Sequence, residues 1–141
     1  MAATDHVEVW FATNLVFEAL VGELFRTGFV MRVGPACNDF VTPTVVSAAA
    51  DDYRRNLANS LTLMKLLTSD TTHGADNRAL MSGWLAKYVP LCVEAQRGLE
   101  AVWGMAPKGG VNFAASVADA QAHFKDILTE LGVGLPAGVT L

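Results

Sequence analysis

Apolar residues recur every three to four positions along most of this chain, and no stretch of useful length alternates in the two-residue manner of a strand. The pattern predicts four helices separated by proline, glycine and Asx punctuation, so the fold class is all-α. The first runs from about Asp5 to Val33, opening on Thr4-Asp5 followed by Glu8, an N-cap with an acidic first turn. Trp10, Phe11, Leu15, Phe17, Val21, Leu24, Phe25 and Phe29 surround much of its cylinder instead of marking one stripe. A helix apolar on most sides is buried on most sides. Gly34-Pro35 ends it, because proline removes a donor and disfavours helix in the residue before it.

After the connector Asn38 to Thr44, Pro43 or Thr44 starts a second helix that continues to about Thr68. Its inner line is Ala49, Tyr53, Asn56, Ser60, Met64 and Leu67, with Asp51, Asp52, Arg54, Arg55 and Lys65 mostly off it. Thr71 to Ala75 is a turn, and Asp76 or Asn77 caps a third helix from roughly Arg78 to Trp103, with the line Leu80, Trp84, Tyr88, Leu91, Ala95, Leu99 and Val102 and a kink expected at Pro90. Pro107 to Gly110 is a loop. The fourth helix, from about Asn112 to Leu131, places Phe113, Val117, Ala120, Phe124, Leu128 and Leu131 on one face, with Gly132 as its C′ residue. Residues 1–133 therefore read as a single helical domain, and 134–141, rich in glycine and proline, as an extended or disordered tail.

Composition changes this picture in one respect. With 52% hydrophobic residues in 141, the chain is more apolar than a small soluble monomer needs, so some of that surface is expected to meet another protein. The apolar stretch from Val9 to Phe17 is interrupted by Thr13 and Asn14 and is far too short to span a bilayer. The opening residues carry no basic segment of a secretory signal, which makes the cytoplasm the expected compartment. Cys37 and Cys92 lie far apart without a CxxC spacing and are expected as small buried hydrophobes. A net charge of −4 leaves no basic stripe for phosphates, so nucleic acid is not an expected partner.

A bundle of long helices invites a search for the Glu-x-x-His pairs that hold two irons between facing helices. Three residues after Glu8, Glu18, Glu23, Glu94, Glu100 and Glu130 stand Phe11, Val21, Arg26, Arg97, Trp103 and Val133, so no such pair exists. Asp70-x-x-His73 falls at a helix end beside Gly74 and reads as a solvated turn. His123, between Asp119 and Asp126, reads as part of a polar edge. Neither a GxSxG elbow nor a serine, histidine and acid constellation is present, and Gly109-Gly110 lacks the context of a phosphate loop. Catalytic, cofactor-binding and metal residues are therefore all expected to be absent from this chain. The lines through Phe17, Trp84, Tyr88 and Phe124 read first as core, and the first helix is the leading interface candidate.

Several blocks resemble one family. Asn14 to Arg26 with Phe29-Val-Met31, Asp39 to Val46, His73 to Asn77 leading to Gly83 to Pro90, the Glu94-Ala-Gln-Arg97 helix and the segment Phe124 to Gly132 are similar, in order, to the small (β) subunits of soluble bacterial multicomponent di-iron monooxygenase hydroxylases, particularly the propane monooxygenase type. The resemblance covers nearly the whole chain. It implies a partial ferritin-like, ribonucleotide-reductase-like helical bundle in a non-catalytic structural subunit, with the di-iron centre in a large hydroxylase subunit. It further implies a reductase delivering NADH-derived electrons, a coupling protein, and dioxygen used to hydroxylate propane or a similar small hydrocarbon. Small subunits of this family are longer, and the chain resembles their C-terminal part, so another chain supplying the N-terminal part is a further expected partner. Trp10, Asn14, Phe17, Glu18, Val21, Glu23, Arg26 and Trp84 are the interface candidates. The alternative is a free-standing helical bundle, either a metal protein using Asp70, His73 and His123 or a homo-oligomeric regulator.

Overall fold

The computed structural model describes residues 5–107 and 111–141. Helix α1, residues 6–36, is continuous but changes its winding along its length: α over His6–Trp10, π over Phe11–Gly22, α over Glu23–Phe25, π over Arg26–Val30 and α over Met31–Ala36. Helices α2 (Val41–Ser69), α3 (Gly74–Gly104) and α4 (Phe113–Leu131) all pack against α1. The predicted loop from Pro107 to Gly110 lies largely outside the described residues, as does Thr4. Among the described residues no helix is long and apolar enough to cross a membrane.

The whole-circumference apolarity of the first helix has its explanation in this arrangement. Phe11, Leu15, Val16, Ala19 and Leu20 of α1 are almost fully buried against Leu61 and Met64 of α2, Met81, Leu85 and Val89 of α3, and Phe124, Ile127 and Leu128 of α4. A second cluster at the other end joins Leu24, Trp103 and Ala120, with Phe29 and Phe113 against the Trp103 ring. The segment after Gly132, whose φ of 66° is the left-handed conformation a helix C′ residue favours, returns Leu135, Val139 and Leu141 to the main core.

Local capping moves two predicted boundaries. Asp39 Oδ1 accepts the N–H groups of Val41 and Thr42 at 3.0 Å each, so α2 begins at Val41 and Pro43 falls in its first turn, where a missing N–H costs nothing. At the next corner Asp70 Oδ1 accepts from the backbone of Thr72 and His73, and α3 starts at Gly74, before the predicted Asp76. Asn77 turns back to donate to the Leu67 carbonyl at 2.8 Å, and Arg78 donates to that of Thr68, satisfying carbonyls at the end of α2.

Gly74 is needed at this corner because a Cβ would lie 2.5 Å from the Thr68 carbonyl oxygen, a backbone atom that cannot step aside. Gly74→Ala is expected to cost about 1–3 kcal/mol, as overpacking does, visible as a lower midpoint in thermal denaturation. An unchanged midpoint would mean that the α2–α3 corner opens freely.

The predicted faces of α2 and α3 need correction. On α3 the residues turned inward are Met81, Leu85, Val89, Cys92, Gln96 and Trp103, whereas Leu80 and Leu91 are more than half exposed and Ala95 is exposed. The helix carries two adjacent apolar lines, and only the seating of α1 chooses between them. On α2, Ala49 and Asn56 are exposed, and Leu61 and Thr68 join Tyr53, Ser60 and Met64 inside. Phe124 is fully buried and Trp84 and Tyr88 are half-buried, but Phe17, which the same pattern placed in the core, is exposed.

The cysteines also differ from expectation. Cys92 is buried, and burial pushes its thiol up to about 11, whereas Cys37 is exposed at the corner between α1 and α2. At pH 8 a thiol with that pKa is ionised to roughly one part in a thousand. A chromogenic disulfide reagent is therefore expected to titrate one thiol per native chain and the second only after unfolding; rapid titration of both would contradict this burial.

Candidate partner interface

Along α1 an apolar strip remains uncovered. Val9, Trp10, Phe17 and Phe25 are between 40% and 48% exposed, although they belong to the helix that supplies more of the core than any other. Trp10, Phe17 and Phe25 follow one another along the helix at intervals of seven and eight residues. Phe25 stacks on Phe29, their ring centroids 5.7 Å apart. Exposed aromatic side chains of this size are the usual anchors of protein interfaces.

A polar seam lies between α1 and α2. The Arg26 guanidinium sits 2.6 Å from Glu18 Oε2, donates through Nε and Nη2 to Glu23 Oε1 at 3.2 and 3.0 Å, and covers the Tyr53 ring at 5.1 Å. Thr27 donates to the other Glu23 oxygen at 2.7 Å. Burial pulls the guanidinium pKa down, but the hydrogen bonds and charges of Glu18 and Glu23 outweigh it and hold it above its ordinary value. Burial and, second, the Glu23 charge raise the Tyr53 phenol far above its ordinary range, and its hydroxyl lies 2.9 Å from His123 Nε2 on α4. Asn14 donates to Ser60 Oγ at 3.2 Å higher on the same seam. Beside it, Glu23, Thr27, Gly28, Arg32, Asp119 and His123 line a small cavity of about 170 Å³ between α1 and α4.

The eight interface candidates thus separate. Trp10 and Phe17 are exposed; Glu18, Glu23 and Arg26 form one partly exposed ion cluster; Asn14 is turned towards α2. Trp84 is half-buried, its ring 5.4 Å from that of Phe11. Val21 departs from the expectation, being 9% exposed and part of the core. One cluster escaped sequence reasoning: Glu8, only 2% exposed, accepts from Lys87 Nζ at 2.6 Å and the Tyr88 hydroxyl at 2.9 Å. Nothing in a helix-opening Glu signals a partner eighty residues away. Tyr53 with His123 and the buried Gln96 were missed as well, although a glutamine three or four residues from Cys92, Val93 and Leu99 is a signal that could have found the latter.

The donor set does not suit a metal centre. Among the described residues no group of three or more His, Cys, Asp or Glu side chains stands together. Glu8, Glu18 and Glu23, the acids nearest the core, are engaged by Lys87 and Arg26 of this same chain. Asp70 spends its carboxylate on the turn before α3, and His123 spends a ring nitrogen on Tyr53.

Comparison with known proteins gives concordant results. A family model described as methane/phenol/alkene hydroxylase matches residues 1–71. Three proteins named propane 2-monooxygenase, hydroxylase component small subunit, are similar over 135 residues: those of Mycolicibacterium goodii at 41% identity, Rhodococcus jostii at 40% and a Gordonia species at 38%. Each match covers 96% of this chain, and the chain spans 37% of the length of these relatives.

Proposed function

This chain belongs to the methane/phenol/alkene hydroxylase family, and we propose that it serves as a non-catalytic structural part of a hydroxylase complex. The observation that carries this reading is the uncovered aromatic strip on α1. Its partner is the large hydroxylase subunit, which holds the di-iron centre, while a reductase supplying NADH-derived electrons and a coupling protein act on that subunit. The assembly hydroxylates propane or a similar small hydrocarbon with dioxygen in the cytoplasm. The residues of this chain bind and orient: Trp10 and Phe17 enter the partner's surface, and the Glu18–Arg26–Glu23 cluster at the strip's border offers matched charges. The engagement of the core-facing acids by Lys87 and Arg26 supports a role without metal.

Co-expression with the large subunit encoded nearest to this chain tests the proposal. Co-elution in size-exclusion chromatography is expected, with iron found only in the large chain. Trp10→Asp with Phe17→Asp is expected to abolish it, since an aromatic anchor contributes about 2 kcal/mol or more, a weakening of about 30-fold or more per site. A chain that runs alone, folded and free of iron, would overturn the partner assignment, and stoichiometric iron in the isolated chain would overturn the structural role.

A further inference from the structure

Two buried side chains reach the backbone of α1 where its winding departs from α. At the close of the first π segment the Glu23 N–H returns five residues to the Glu18 carbonyl, and at the close of the second the Met31 N–H returns five residues to that of Arg26. Two residues before the end of each segment, a carbonyl accepts from outside the helix. Gln96 of α3 donates Nε2 to the Leu20 carbonyl at 2.7 Å, and Ser116 of α4 donates its hydroxyl to the Gly28 carbonyl at 3.4 Å. Gln96 is 2% exposed and Ser116 1%.

Gly28 makes the second contact possible, since a Cβ there would lie 2.9 Å from Ser116 Cβ. A primary amide buried among aliphatic side chains is costly unless it is hydrogen-bonded, so the position of Gln96 has to be matched to a backbone acceptor. π winding is rare and mostly confined to a single turn, yet the first segment spans 12 residues. These two uncommon features meet at the same carbonyl.

We propose that Gln96 and Ser116 are latches that hold α1 in its wide winding, and that α1 has a second, α-wound register reached when the Gln96–Leu20 bond opens. In that register the Glu23 N–H returns to the Ala19 carbonyl, four residues back. Trp10 and Phe17 then rotate about the helix axis relative to Phe25, so the latch decides which aromatic side chains share the exposed side. A partner that binds one arrangement of that side more tightly selects one register, and the register sets the partner's affinity in return. This last consequence rests on the interface reading above; the latch itself does not.

Scalar couplings across hydrogen bonds, measured by NMR on the isotopically labelled full chain, connect an amide nitrogen to the carbonyl carbon it bonds and so read the register directly. The wild type is expected to show the Glu23–Glu18 coupling, with relaxation dispersion concentrated in the α1 amides and the Gln96 side-chain amide. Gln96→Met keeps the side-chain volume and removes the donor, and it is expected to replace that coupling with Glu23–Ala19. A folded Gln96→Met chain that retains the Glu18 coupling overturns the latch. Should the variant not fold, the wild type decides: dispersion shared by residues 20–24 and the Gln96 amide supports the second register, and flat profiles across α1 overturn it. No partner enters these measurements, so their failure leaves the interface reading standing, and a loss of co-elution leaves the latch standing.

Discussion

Phe11→Ala is expected to lower the unfolding free energy by about 3–5 kcal/mol, whereas Trp10→Ala, one residue away, is expected to lower it by under about 1 kcal/mol in the isolated chain. The difference comes from opposite surroundings. Phe11 is 1% exposed, contacts the Trp84 ring and lies within the main core, so its removal leaves a cavity that three neighbouring helices cannot close. Trp10 is nearly half exposed and leaves no cavity. Urea denaturation followed by circular dichroism at 222 nm separates the two. Equal losses would mean that α1 is rotated about its axis from the position described, and the interface assignment of Trp10 would fall with it.

Arg26→Met is expected to cost about 2–3 kcal/mol at pH 7, below the about 3–5 kcal/mol of a fully buried pair because the cluster is partly hydrated. Its side chain is 18% exposed and stands between two carboxylates that are 25% and 19% exposed. Without the guanidinium, Glu18 and Glu23 face each other with no cation between them, and Tyr53 loses the charge over its ring. Adding Glu18→Gln and Glu23→Gln in the Arg26→Met background removes the repulsion and is expected to recover most of the loss. A multiple-mutant cycle by chemical denaturation measures this coupling. Additive losses with no recovery would show that Arg26 acts through packing of its aliphatic stem.

Particular elements show how far sequence reasoning reaches here. The 3.6-residue period, the turn from Thr71 to Ala75 and Gly132 located the helices to within a few residues, because capping and turn chemistry act locally, whereas Gly34-Pro35, read as the stop of the first helix, lies inside its last turn, which runs on to Ala36. The helix starts moved by a few residues because Asp39 and Asp70, not the nearest proline or Asp76, supplied the acceptors. The absence of a Glu-x-x-His pair is likewise a property of spacing alone. The Glu18–Arg26–Glu23 cluster was half legible, its residues named but not their pairing, since charged groups on a buried helix must find partners and three of them lie within about two turns.

What the order of residues determined is therefore the number of helices, their approximate ends and the excess of apolar surface on the first. Only the tertiary structure decided which line of α3 faces inward, that Val21 belongs to the core and Phe17 to the surface, and that Glu8 meets Lys87 and Tyr88. The physical reason is common to all three. α1 is apolar nearly all round, so its pattern alone does not orient it, and the helices packed against it do, with Gln96 and Ser116 among the contacts at its carbonyls.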